Sequence, residues 1–251
     1  MTVLPMPEQD WQKQLKSISL ENPRELARAI SLAENNASLQ VGSTSSQTRV
    51  IGITGSPGVG KSTTVNALIT SLRSQGKTIA VLAVDPSSPL SGGALLGDRI
   101  RLGEHFLDPH VFIRSIATRG HLGGLSATIE SVINLVKLAG FDFIFVETVG
   151  VGQSEVEVMK YVKTVVVVMA PGMGDGIQAS KAGILEIGDI FLVNKSDRDG
   201  ASETAKELES SLHLSAKPLN WVPMVLLGAM EKSLGIAELI GAIEQHGESI
   251  K

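Results

Sequence analysis

Gly55-Ser56-Pro57-Gly58-Val59-Gly60-Lys61-Ser62 decides the reading of this chain. It fits the spacing G-x-x-x-x-G-K-[ST] of a phosphate-binding loop, and its flanks fit as well. Before it runs Arg49-Val50-Ile51-Gly52-Ile53-Thr54, short, apolar and β-branched, the pattern of a buried strand. After it, Val65, Leu68, Ile69 and Leu72 recur at helical spacing between Ser62 and Ser74. A polyphosphate needs many N–H donors converging on it, and a helix N-terminus points several unpaired N–H groups outward. The glycines let the backbone curl and approach closely. Lys61 brings positive charge to the β- and γ-phosphates, and the Ser62 hydroxyl can ligate Mg²⁺. The loop from Gly55, Ser56, Pro57 and Gly58 through Val59, Gly60, Lys61 and Ser62 to Thr63 is therefore expected to hold nucleotide phosphates.

Outward from this loop, the patterns predict strands at 50–54, 79–84, 111–116, 143–147, 164–169, 189–193 and 222–227. Helices are predicted at 61–74, 124–139, 176–187, 201–213 and 235–246. Such alternation implies an α/β fold of the P-loop NTPase type, a mostly parallel twisted sheet with helices on both faces. Ligands then gather at the carboxyl ends of the strands. Residues 1–48 read as an N-terminal helical extension and linker, and 49–251 as the nucleotide-binding domain. Within the extension, helical patterns run from Glu8 to Asn35, with Asn22 as a cap and Pro23 in a first turn. The Gly/Ser/Thr-rich run Val41–Thr48 reads as the linker.

A second motif closes the strand Ile190-Phe191-Leu192-Val193. It is Asn194-Lys195-Ser196-Asp197, the N-K-x-D pattern of guanine recognition in GTPases. Guanine presents N1–H and its N2 amino group side by side, and one carboxylate can accept from both. Adenine lacks that pair of donors, so Asp197 would discriminate between the bases. Asn194 can bond the carbonyl side of the base and brace the loop, and the Lys195 stem can lie over the ring.

A third strand, Phe143-Ile144-Phe145-Val146, ends in Glu147-Thr148-Val149-Gly150. An acid followed three places later by glycine is similar to the D-x-x-G segment of GTPases, where the acid acts on Mg²⁺ and the Gly N–H senses the γ-phosphate. Here the acid is Glu147, and Val151 stands where Ras-like proteins often carry Gln, so water positioning by that Gln is not expected. Asp85, at the end of Val81-Leu82-Ala83-Val84, lies at the same sheet edge and suits the metal shell. Asp98 is a second metal and catalytic candidate, and Arg101 a candidate for phosphate contact, both in a long Gly-containing segment.

The composition narrows the class. The chain has 251 residues, 43% hydrophobic and 19% charged, enough for a globular domain with a sizeable core. A net charge of −4 with no basic stripe points to a pocketed ligand rather than a nucleic-acid surface. Cysteine is absent, so disulfides, thiolate chemistry and cysteine-based metal clusters are excluded. The N-terminal residues lack the basic and apolar regions of a signal peptide, and the apolar runs are too short for a membrane span. A soluble, cytoplasmic protein is expected.

Taken together, the segments at 55–63 (GSPGVGKST), 81–89 (VLAVDPSSP), 91–101 (SGGALLGDRIR), 147–155 (ETVGVGQSE), 171–189 (PGMGDGIQASKAGILEIGD) and 194–197 (NKSD) resemble one family. It is the MeaB/ArgK/MMAA group of P-loop GTPases in the SIMIBI class. The resemblance covers about Val50 to His246, and its most specific parts are the second and fourth segments. It implies a chaperone of adenosylcobalamin-dependent acyl-CoA mutases, mainly methylmalonyl-CoA mutase, which gates cofactor loading and protects the mutase at the expense of GTP. It further implies GTP/GDP and Mg²⁺ as cofactors, with Mg²⁺ handled by Ser62, Asp85, Asp98 and Glu147. Switch behaviour is implied around 85–101, 147–157 and 172–181, with Lys181 as a switch contact. Family members usually carry more chain at both ends, including a C-terminal dimerisation arm. This sequence stops at Lys251, which leaves the usual homodimer an open expectation. The Ser-Ala expected near the last strand, which touches the guanine carbonyl, is Gly228-Ala229 here, so that only the Ala229 N–H could serve. With no obvious arginine finger or strong base, intrinsic turnover is expected to be slow and partner-dependent. Two other classes use the same loop. A nickel-delivery metallochaperone would need a His/Cys site, which five scattered histidines and no cysteine disfavour. A small-molecule kinase is disfavoured by N-K-x-D.

Overall fold

The computed structural model describes residues 8–36, 39, 41–42, 47–86, 102–118, 122–148, 153–172, 184–214 and 221–250. In chain order its elements are α1 (Glu8–Lys16), α2 (Pro23–Asn35), β1 (Arg49–Thr54), α3 (Lys61–Ser74), β2 (Ile79–Pro86), β3 (Val111–Thr118) and α4 (Leu122–Ala139). Then follow β4 (Phe143–Thr148), α5 (Gln153–Met159), β5 (Thr164–Met169), α6 (Ile184–Ile187), β6 (Ile190–Val193), α7 (Ala201–Leu214), β7 (Met224–Leu227) and α8 (Ile236–Ser249). Short 3-10 turns lie at Gly103–His105 and Met230–Lys232.

Among the described residues the strands form one sheet in the order β3-β2-β4-β1-β5-β6-β7, and every pairing is parallel. Parallel neighbours need crossovers, and the intervening helices supply them on both faces. Alternate residues of one strand serve opposite faces. In β5, Val165 and Val167 join the cluster under α2, α4 and α7, while Val166 and Val168 join the cluster under α3 and α8. Being buried on both sides explains why β1, β4, β5 and β6 are nearly unbroken apolar runs.

The N-terminal helices pack into this core. Trp11, Leu26, Ile30 and Val41 belong to the same buried cluster as Ile133 and Val136 of α4. The stretch read as a linker is anchored at both described ends. Asn134 Nδ2 donates to Val41 O at 3.1 Å, and Thr48 Oγ1 donates to Phe141 O at 2.7 Å. Asn22 does occupy the cap position of α2, with Pro23 in the first turn, but its side chain makes no cap bond. It reaches back instead to Ser19 Oγ at 3.4 Å.

The helix predicted at 176–187 is described only over α6, residues 184–187, and the rest lies outside the described residues. α5 stands where the sequence suggested only a switch segment. No helix among the described residues is long and apolar enough to cross a membrane.

Candidate nucleotide site

β1 is central, with β4 on one side and β5 on the other, so its carboxyl end opens between two strand termini. The phosphate loop leaves from there. Gly55 and Gly60 have φ of 140° and 100°, where side chains are strained. Space is closed to them as well. A Cβ on Gly55 would fall 2.1 Å from Val168 O, and one on Gly60 would fall 2.3 Å from Asn194 Nδ2. Gly60 is the N-cap residue of α3 and no side chain caps that helix, which leaves its first-turn N–H groups for another acceptor.

Lys61 is buried, and its Nζ donates to Gly55 O at 2.8 Å and Ser56 O at 3.1 Å. Its charge therefore lies inside the curl of the loop. Ser62 Oγ donates to Glu147 Oε1 at 2.7 Å, and both residues are buried although 85 positions separate them. The pairing of β1 with β4 makes this contact, with Ile53 in register with Glu147. A hydroxyl and a carboxylate in contact beside a phosphate loop form a hard oxygen pair. That suits Mg²⁺, which takes few protein ligands and fills its shell with phosphate and water oxygens. Asp85 lies in β2, next to β4 at the same edge, but nothing of its side chain is described. Asp98, Arg101, Gly150 and Lys181 lie outside the described residues.

The base-reading motif follows β6 and is tied to the phosphate loop. Asn194 Nδ2 donates to Val59 O at 2.9 Å, and Asn194 Oδ1 accepts from the Met230 N–H at 3.1 Å. One amide thus joins three segments. Lys195 takes a left-handed φ of 59°, and its Nζ donates to Gly58 O at 2.6 Å. The Ser196 N–H donates to Gly228 O at 2.9 Å. Asp197 Oδ2 lies 2.7 Å from Lys232 Nζ. That lysine first, and the residue's own N–H second, hold the Asp197 carboxyl below its ordinary value.

The Ala229 N–H, expected to meet the base, is engaged within the chain. It donates to Leu234 O at 3.0 Å, because residues 229 and 234 form an antiparallel bridge that closes the 3-10 turn. In this conformation that N–H is not free for a base.

A cavity of about 500 Å³ is lined by Pro57, Gly58, Gly60, Lys61, Ser62, Thr63 and Glu147, and of the Asn194–Asp197 motif by Lys195 alone. Arg198 and Glu231 also line it and were not foreseen. Neither stands at a motif position, and only the fold brings the loop after β6 against the turn after β7. The pocket can take a phosphorylated ligand at the α3 end and a flat ring at the β6 end. Among the described residues no cluster of three or more His, Cys, Asp or Glu could hold a metal.

The sequence model of the family described as methylmalonyl Co-A mutase-associated GTPase MeaB matches residues 26–251. A protein of Pyrococcus abyssi provisionally named a GTPase is 45% identical over 237 residues, covering 91% of this chain and 73% of the relative. GTPase ArgK of Escherichia coli is 40% identical over 197 residues, covering 77% of this chain and 60% of the relative. Among solved structures, one described as a LAO/AO transport system kinase superposes with a TM-score of 0.72 at 27% identity, covering 98% of this chain and 78% of that one.

Proposed function

The chain belongs to the MeaB family of methylmalonyl-CoA mutase-associated GTPases, and we propose that it is a GTP-hydrolysing switch that assists an adenosylcobalamin-dependent acyl-CoA mutase of the methylmalonyl-CoA mutase type. The guanine-nucleotide half of this reading is supported above all by Asn194, which bonds the phosphate loop with one end of its amide and the turn after β7 with the other. The mutase half is supported by the family's description.

In this reading the γ-phosphate bond of GTP is cleaved by in-line attack of water, giving GDP and phosphate. The first-turn N–H groups of α3 receive the phosphates. The Lys61 ammonium exchanges the carbonyls of Gly55 and Ser56 for β- and γ-phosphate oxygens, so its charge is already in place before the nucleotide arrives. Ser62 and Glu147 would hold Mg²⁺, with Asp85 and Asp98 nearby in sequence logic, and the ion would neutralise charge between the phosphates. Asp197 accepts from guanine N1–H and the N2 amino group. Lys195 leaves Gly58 O so that its stem can lie over the base. Gly150, by its place after Glu147, would report the γ-phosphate to the client.

A switch must bind its client differently in its two nucleotide states. Calorimetry of this chain with purified methylmalonyl-CoA mutase, loaded in turn with GDP and a non-hydrolysable GTP analogue, is expected to give two distinct affinities. One affinity for both forms, or no binding, would remove the chaperone role and leave the nucleotide chemistry standing.

A further inference from the structure

Two facing pieces of backbone hold the base-reading end of the site. The Ser196 N–H bonds Gly228 O at 2.9 Å and the Met230 N–H bonds Asn194 Oδ1 at 3.1 Å, so the loop after β6 and the turn after β7 are pinned at two points. The 3-10 turn Met230–Lys232 follows directly. The Lys232 N–H closes it on Ala229 O at 2.8 Å, and the bridge between Ala229 and Leu234 locks it. The Met230 side chain is buried beneath. The turn places the Lys232 backbone where its ammonium can reach Asp197 Oδ2, at 2.7 Å.

An ionised carboxylate has about four lone-pair positions on its two oxygens. Asp197 gives one to Lys232. The positions left over exceed the two that the N1–H and N2 amino donors of guanine require. Lysine and base can therefore share the carboxylate. The charged groups that act on it are Arg198 on its own loop and Lys232 on the facing turn. Arg198 and Lys232 both favour the ionised form.

We propose that Lys232 is a positioning residue for guanine recognition, its ammonium holding the Asp197 side chain so that the carboxylate meets the base already aimed. This rests on Asp197 being the base reader. Lys232 acts through the carboxylate, and an acceptor oriented in advance loses less freedom on binding. The pair is partly open to solvent, with side-chain exposures of 34% for Asp197 and 61% for Lys232, so its direct effect is modest.

The test is a competition titration against a fluorescent GDP, with GDP, IDP (which lacks the N2 amino group) and ADP as competitors. It uses the full chain and its Lys232→Ala, Lys232→Arg and Asp197→Asn variants across the acidic range. Lys232→Ala is expected to weaken GDP about three- to tenfold, to shrink the preference for GDP over IDP and to leave ADP unchanged. It should also move the acid limb of GDP binding to higher pH, because the Asp197 carboxyl is released towards its ordinary value. Lys232→Arg should restore both. Tighter GDP binding in Lys232→Ala would make the lysine a competitor of the base and overturn the proposal, as would an unmoved affinity and acid limb. If Asp197→Asn leaves the preference for GDP over ADP intact, the underlying reading of Asp197 fails instead. If Asp197→Asn abolishes that preference while Lys232→Ala is silent, only the role of Lys232 fails.

Discussion

The two edges of the sheet carry similar side chains with different outlets. At the carboxyl edge Lys61, Asn194 and Lys195 bond the loop backbone and Ser62 bonds Glu147, beside a cavity of about 500 Å³. At the amino edge Thr164, Asp189, His246 and Trp221 form an equally polar group. Thr164 Oγ1 meets His246 Nδ1 at 2.9 Å, His246 Nε2 lies 3.4 Å from Asp189 Oδ1, and Asp189 Oδ2 accepts the Val165 N–H at 2.8 Å. Trp221 donates to Asp189 O at 2.9 Å and sets its ring edgewise on His246, 4.8 Å away. Thr164 and His246 are each 3% exposed, so a threonine, a histidine and an aspartate in a row here are a staple between the sheet and α8. What separates a site from a staple is room for a ligand to take over the bonds, and residue type alone does not supply it.

The sharpest break in this contrast is Asp197→Asn. GDP affinity should fall by about two decades or more, and preference should turn towards xanthine nucleotides, whose C2 carbonyl an amide can serve. Calorimetry with GDP and XDP reads both, and thermal stability should hardly change. Next is Gly60→Ala. Its Cβ would collide with Asn194 Nδ2 and its φ of 100° would be strained, so nucleotide binding should drop about tenfold or more. At the other edge Thr164→Val keeps the shape and removes the hydroxyl beside His246 Nδ1. Urea unfolding should show a loss of about 1–2 kcal/mol with GDP affinity unchanged. A GDP affinity that moved with it would join the two edges energetically.

The smallest effects concern pH, and they have opposite signs. Burial first of all raises the Asp189 carboxyl, against the Val165 N–H and His246, which lower it. A carboxyl raised in the fold gives stability that is present below its unfolded value of 3.8 and is lost as pH climbs through its folded value. The Arg73 guanidinium lowers the Asp108 carboxyl through a bond of 2.8 Å. That contribution is present above 3.8 and is lost as pH falls through the folded value. Urea midpoints from acid to neutral pH should therefore change slope one way in Asp189→Asn and the other way in Arg73→Gln. The second effect should stay under about 1 kcal/mol because the pair is partly exposed.

Most of the architecture was legible because strands buried on both faces read as plain apolar runs, and β1, β4, β5 and β6 are such runs. Their order across the sheet was not, since pairing between distant strands leaves no local pattern. α5 was missed because Gln153–Met159 spans seven residues, too few to display a helical period beside a glycine-rich stretch. The phosphate loop and the strand-end positions of Glu147 and Asn194–Asp197 were legible from motif and flank together. Arg198, Glu231 and Lys232 were not, because a charged surface residue acquires its neighbour only when loops far apart in sequence are folded onto each other. The bond from the Ala229 N–H to Leu234 O was illegible for the same reason, being set by a bridge with no sequence signature.

Asn194 also bears on the order in which the chain comes together. Its two bonds reach back 135 residues to Val59 and forward 36 to Met230. The phosphate loop can curl on its own strand and helix, but its clasp needs β6 and the turn after β7, which are made well after the loop. Closing such long loops is slow, and in a wholly parallel sheet no hairpin shortens them. Competence for nucleotide should thus be the last property a refolding chain acquires, trailing the recovery of helical signal in stopped-flow. A newly made copy would be unable to hold GTP until β7 and the turn after it are in place, so that loading with nucleotide certifies that these distant segments have met.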